Sequence, residues 1–302
     1  MKRRRFLKIG AATLVSPLLP DSVYSSLQDK SSVWEVEGTP EKSIPALFES
    51  LGGLKSFIAG DIKKSTVLIK PNLCLPHGPE LGTTSAPEVI QALCQFLISE
   101  GVKKIIITDH TLSQFNTIKD TPLHEITSKF KQVKYILANE QRLYQPVQVA
   151  GKVLQATETL KMLERVDLLI NLATAKHHSA THVSLAIKNL MGLIWDRTPF
   201  HTQFDLSQAI ADLALVIHPG LNIVDASRVL LNGGPTGPGP IIKDTRLYAG
   251  FDILALDTVV VSRYNFGERT STAKEIPHLW SAYQNSIGEI DMQNIHIHKV
   301  LV

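Results

Sequence analysis

Apolar residues run almost unbroken through four short stretches of the chain: Thr66–Lys70 (Thr-Val-Leu-Ile-Lys, stopped by Pro71), Lys104–Asp109 (Lys-Ile-Ile-Ile-Thr-Asp), Asp167–Leu172 (Asp-Leu-Leu-Ile-Asn-Leu) and Leu221–Asp225 (Leu-Asn-Ile-Val-Asp). Runs of this length, rich in branched side chains, predict strands buried on both faces. Between the first two, Pro87–Glu100 places Val89, Ile90, Leu93, Leu97 and Ile98 at helical spacing, and Gly101 stops it. Asp252–Tyr264 and Glu275–Ile287 are predicted helices, and Tyr144–Gln155 is a predicted hairpin-type insertion around Gly151. Buried strands alternating with helices predict an α/β fold: an open, mostly parallel sheet covered by helices on both faces, with a small β insertion. The run Asn232–Pro240 is too rich in Gly and Pro for a regular element and is read as a loop. No linker divides the chain, so residues 26–302 are read as a single α/β domain.

Residues 1–25 follow a different pattern. Lys2-Arg-Arg-Arg-Phe-Leu-Lys8 resembles the twin-arginine export pattern, with Arg3 and Arg4 as the pair and Lys2 in place of the usual Ser or Thr. The apolar stretch Ile9–Leu19 is too short for a spanning helix. Val23-Tyr24-Ser25 offers small residues at cleavage spacing without a clean Ala-x-Ala, so an uncleaved signal acting as a membrane anchor stays open. The resemblance implies the twin-arginine translocation machinery as a partner, a periplasmic or otherwise exported location, and export of a folded protein.

Charge changes the picture only once this segment is set aside. The 302-residue chain carries 31 Lys+Arg against 28 Asp+Glu, a net charge of +3. Without residues 1–25 the counts become 26 and 27, a net charge of −1. A near-neutral chain without a basic, aromatic-rich stretch lacks the footprint of nucleic-acid binding. The two cysteines, Cys74 and Cys94, cannot supply a four-cysteine iron–sulfur cluster or zinc site. They read as small buried hydrophobes, with a disulfide between them left open.

Candidate chemistry lies where the strands end. The first strand ends in Lys70 and is followed by Asn72; the second ends in Asp109 before His110. The third carries Asn171, with Lys176, His177 and His178 after it, and the fourth ends in Asp225. Open parallel sheets bind ligands in the crevice outside the carboxyl ends of their strands, so these residues are expected to share one cleft. Lysines with Asn and His suit an anionic ligand such as a carboxylate or phosphate, and His suits proton transfer near neutral pH.

Three further clusters stand out. If residues 178–182 are helical, His178 and His182 share a face and could hold one metal, with Asp109, His110, Asp225 or His201 as third ligand. Lys188-Asn189 interrupts an apolar stretch and reads either as a solvated helix face or as pointing back into the cleft. Gly233, Gly234, Gly237 and Gly239 could bring backbone N–H groups to an anion, or form a surface loop.

Val67-Leu-Ile-Lys-Pro-Asn72, Thr83-Thr84 with Pro87-Glu88, Lys176-x-His178, Leu185-Ala-Ile-Lys-Asn-Leu-Met-Gly192, the Gly-Pro loop after Asp225, and Gly250-Phe-Asp-Ile-Leu-Ala-Leu-Asp257 together resemble the family called domain of unknown function 362. The resemblance spans about Val67 to Asn265 and implies Lys70, Asn72, Lys176, His178, Lys188, Asn189, Gly192, Asp225 and Asp257 as site residues. His177 stands where that family often has Thr, and His182 is outside its motif. Relatives with appended ferredoxin-like cysteine motifs carry clusters; this chain has no such motif. The expectation is an exported protein binding a small anionic ligand in a Lys/His/Asp cleft, with metal-assisted acid–base chemistry as one form. Its catalytic residues would be Lys176, His178 and Asp225, and its ligand-binding residues Lys70, Asn72, Asp109, Lys188, Asn189 and Asp257. The alternative is a non-catalytic binding or maturation partner of an exported redox protein.

Overall fold

The computed structural model describes residues 31–112 and 123–302. The expected export signal, with Arg3 and Arg4, lies outside the described residues.

The strands are β1 (Ser31–Glu37), β2 (Thr66–Lys70), β3 (Lys104–Asp109), β4 (Val133–Leu137), β5 (Tyr144–Gln148), β6 (Ala156–Leu160), β7 (Leu168–His178), β8 (His182–Ser184), β9 (Leu221–Leu230), β10 (Ile241–Lys243), β11 (Arg246–Gly250) and β12 (Ile295–Leu301). Ten of them form one sheet in the order β12-β1-β11-β9-β7-β2-β3-β4, with β8 on β7 and β10 on β9. The run β9-β7-β2-β3-β4 is parallel throughout. β11 is antiparallel to both β9 and β1, and β1 pairs in parallel with β12. β5 and β6 form a separate antiparallel hairpin, the expected insertion.

The unbroken apolar runs follow from burial on both faces, with successive side chains sent to opposite sides. Val67, Ile69, Ile105, Ile107, Leu168 and Ile170 join the core under α1 (Pro40–Ser50), α2 (Pro87–Ser99) and α3 (Leu123–Lys129). Leu68, Ile106 and Leu169 join the opposite core. That layer contains α4 (Ala186–Asn189), α5 (Thr198–Thr202), α6 (Leu206–Leu213), α7 (Ile253–Arg263) and α8 (Pro277–Gln284).

The structure corrects the sequence reading in three places. The fourth strand does not end at Asp225 but runs on to Leu230 as β9, so Asp225 lies mid-strand. The third strand does not stop at Leu172 but continues to His178, and β7 then turns back into β8. Its later residues, Ala173 to Lys176, are buried, so polar character there marks a site rather than a loop. Residues 178–182 are therefore not helical: His178 and His182 are opposed across the hairpin. His182 adopts a positive φ of 66°, packs its ring against His177 at a centroid distance of 6.1 Å and bonds Ser271, away from the cavity that His178 lines. The two-histidine metal arrangement is lost. Cys74 and Cys94 are both free, and Cys94 is buried as expected.

Candidate functional site

A cavity of about 690 Å³ opens beyond the carboxyl ends of β2, β3 and β7. Lys70 ends β2, Asp109 ends β3, and Lys176 and His178, two residues apart near the end of β7, both line it. Asn72 enters from the loop after Pro71, and Lys188, Asn189 and Gly192 from α4 and the turn after it.

A line of hydrogen bonds crosses the sheet and ends in this cavity. The Asn171 side-chain amide donates to Asn222 Oδ1 and to the Ala186 carbonyl, both at 3.0 Å. Asn189 donates to Asn171 Oδ1 at 2.8 Å and to the Lys70 carbonyl at 3.2 Å. Lys70 Nζ in turn donates to Asn189 Oδ1 at 3.1 Å and to the Pro71 carbonyl, and pairs with Asp109 Oδ1 at 3.1 Å. The second carboxylate oxygen of Asp109 accepts the Leu73 N–H at 2.7 Å. A Cβ on Gly192 would sit 2.0 Å from Asp109 Oδ1 and 2.3 Å from Lys70 Cε, so only glycine lets the chain pass this buried ion pair.

The three buried lysines differ in their partners. Lys70, 1% exposed, donates to Asn189 and Pro71 and forms an ion pair with Asp109. Lys176, also 1% exposed, donates to the Thr83 carbonyl at 2.6 Å and reaches Asn72 Oδ1 at 3.4 Å. Lys188, 8% exposed, has among the described residues only the thioether of Met191 at 3.5 Å, a weak acceptor. Burial lowers the pKa of all three, with Asp109 opposing the effect at Lys70. For Lys188, burial together with the charges of Lys176 and Arg197 brings it to about 8.

The lining carries Lys70, Lys176, Lys188 and Arg197 against the carboxylates Asp109 and Asp196. Asp109 is already paired, so the cavity holds an excess of positive charge. His178 is held neutral: burial, then Lys188 and Lys176, lower its pKa to about 2, and its Nδ1 accepts the Ala180 N–H at 3.1 Å. With Nδ1 accepting, the ring hydrogen of the neutral imidazole resides on Nε2. A ring so disfavoured as a cation presents a neutral N–H to the cavity.

Seven of the nine sequence-predicted site residues line this cavity: Lys70, Asn72, Asp109, Lys176, His178, Lys188 and Asn189. Asp225 and Asp257 do not. Asp225 is buried mid-strand and accepts the Ala86 N–H ahead of α2 at 2.8 Å and the Ser227 N–H at 2.9 Å. Asp257 is buried within α7 and accepts the Ala186 and Ile187 N–H groups at 2.8 and 3.0 Å. Both hold the first amides of helices, groups that lack an intrahelical partner. Burial raises the pKa of each, that of Asp257 to about 7.

The Gly-Pro loop covers the mouth through Pro235 and Thr236. Three of its glycine amides are engaged within the protein: Gly233 N–H binds Asn232, Gly234 N–H binds His177 Nδ1, and Gly237 N–H binds the Gly233 carbonyl. Among the described residues no group of three or more His, Cys, Asp or Glu side chains is placed to hold a metal ion. The donor set here is mainly lysine and arginine, which repel a cation.

Arg197 and Trp195, which no sequence pattern singled out, line the cavity, as does His201, a candidate third metal ligand. Arg197 donates to the carbonyls of His110 and Thr111, each at 3.2 Å, leaving other guanidinium N–H groups for the cavity. His110 stacks on Trp195 at 5.2 Å, nearly parallel, and its Nδ1 contacts the Ile194 carbonyl at 2.9 Å. The signal for Arg197 lay in Trp195-Asp-Arg-Thr-Pro199, a polar turn directly after the apolar Leu190–Ile194 stretch.

Fold and cavity define an open, mostly parallel α/β protein with a cationic pocket at the carboxyl edge of its sheet. The chain belongs to the family described as domain of unknown function (DUF362), whose model matches residues 67–262. It is similar to the thylakoid-associated protein sll1697 of Synechocystis sp. (strain ATCC 27184 / PCC 6803 / Kazusa), 24% identical over 238 residues, which span 72% of this chain and 68% of that protein. No solved structure matches it significantly. Among the described residues no helix is long and apolar enough to cross a membrane.

Proposed function

We propose that this protein binds a small anionic ligand in the cavity bounded by Lys70, Lys176, Lys188 and Arg197. The observation that carries this reading is Lys188. A buried ammonium without an oxygen acceptor costs several kcal/mol, and a ligand carboxylate or phosphate supplies the missing partner. Lys176 and Arg197 add charge and donors, and His178 offers a neutral N–H. Lys70 and Asp109 keep the floor of the cavity rigid, with Asn189 as their brace.

Inorganic phosphate is the first probe. It should raise the thermal midpoint of the wild-type protein saturably, by on the order of 5 °C at 100 times its Kd, at constant ionic strength. Lys188→Met should stay folded and lose the rise. An equal rise in both proteins contradicts the reading.

The same proposal includes export through the twin-arginine route, supported by Arg3-Arg4 before Phe6-Leu7-Lys8. Replacing both arginines with lysine should leave the protein folded and retained in the cytoplasm. Fractionation that finds the variant exported as efficiently as wild type refutes this part.

A further inference from the structure

We infer that Lys188 is a nucleophile whose Nζ forms an imine with the carbonyl of a small 2-oxo carboxylate bound in this cavity. The inference rests on the anion-binding reading above and narrows it to a ligand class. It begins with the difference among the three lysines. Lys70 donates to Asn189 and the Pro71 carbonyl and pairs with the Asp109 carboxylate, which favours its charged form against burial. Lys176 is tied to the Thr83 carbonyl. Among the described residues Lys188 alone of the three meets no oxygen, only Met191 Sδ, while being almost as buried. An amine must shed its proton before it can attack a carbonyl, and burial beside other cations is how proteins bring a lysine to that state. Lys188 has both features, with Lys176 and Arg197 as the neighbouring cations, and its pKa of about 8 leaves roughly a tenth of it as free amine at pH 7.

The surrounding groups suit the rest of such a ligand. Lys176 and Arg197 pair with its carboxylate, which holds the adjacent carbonyl beside Lys188. Leu75, Met191 and Trp195 form the apolar part of the lining for the carbon chain. His178 is close enough to Lys188 for the lysine charge to depress its pKa, and its Nε2–H is free to polarise the carbonyl oxygen. The neutral amine attacks the carbonyl carbon; a C–N bond forms and the C=O π pair moves to oxygen, which takes up a proton. Loss of that oxygen as water, its second proton coming from the nitrogen or from solvent, leaves a protonated imine. The sum is amine, carbonyl and one proton giving iminium and water, with no change of oxidation state.

Reductive trapping on the full chain is the test. Incubation with pyruvate or 2-oxoglutarate and sodium cyanoborohydride should leave a reduced adduct on Lys188, at least tenfold above that on an exposed lysine such as Lys64. Lactate, with the same carboxylate but no carbonyl, should slow trapping without forming an adduct. Lys188→Met should give no adduct. Lys188→Arg, which keeps the cation and cannot form an imine, should still show thermal protection by lactate. Protection by lactate and by the oxo acids without an adduct on Lys188 overturns the imine and leaves the anion site standing. Adduct spread evenly over surface lysines overturns it too. No protection by any of these acids, with no adduct, removes both readings.

Discussion

Lys188→Met is expected to stabilise the protein by roughly 3 kcal/mol at pH 7, even as it removes ligand binding. Lys188 has a folded pKa of about 8 against about 10.4 for an exposed lysine, and each tenfold loss of proton affinity corresponds to about 1.4 kcal/mol. Because the folded pKa is depressed, the unfolded chain binds more protons between about pH 8 and pH 10. Stability should therefore rise with pH through that window in the wild-type protein. Methionine keeps most of the stem's packing and has nothing to titrate. The groups facing Lys188 are Lys176 from β7, Cys74 from the loop after β2 and Arg197 at the start of α5, and its own charge reaches His178, His201 and His278. Lys70 and Lys176 remain in the variant, so the difference between the two proteins isolates Lys188. Denaturant unfolding at pH 7 and pH 10 should show a large gap that closes at the higher pH. A constant gap, or a less stable variant, contradicts the assignment of an unpaired buried ammonium.

Asp109→Ala should act in the opposite direction, destabilising the fold by about 3–5 kcal/mol. It leaves Lys70 buried without its carboxylate and deprives the Leu73 N–H of its acceptor. Adding Lys70→Met should recover a large part of the loss, because two buried charges then disappear together and replacement of a buried pair by apolar groups is often close to neutral. Unfolding midpoints of wild type, both single variants and the double variant close the cycle. A double variant whose loss equals the sum of the singles would mean that Lys70 and Asp109 do not act as a pair.

The strand-end rule drew Lys70, Asn72, Asp109, Lys176 and His178 together correctly because the sheet is parallel where they lie. It failed at Asp225 for a local reason. The strand continues past Asp225 to Leu230, so its carboxylate lies inside the sheet, where the Ala86 N–H ahead of α2 claims it. Asp257 was named through family likeness, and the amides of Ala186 and Ile187 claim it in the same way. The extension of β7 is hidden because Ala173 and Ala175 are small and unbranched and Thr174 between them is polar, which breaks the apolar run. β1 and β12 pair across more than 260 residues, and no local pattern announces such a contact. The hairpin of residues 178–182 was misread because spacing alone cannot separate a helix face from two opposed strands.

Anomalous scattering from a crystal of the protein soaked in selenate shows whether an oxyanion sits beside Lys188. A selenium peak within hydrogen-bonding range of Lys188 Nζ, flanked by Lys176 and Arg197, is the predicted result, and the peak should vanish in Lys188→Met. Selenate found only at surface lysines, with Lys188 contacting protein groups alone, would contradict it.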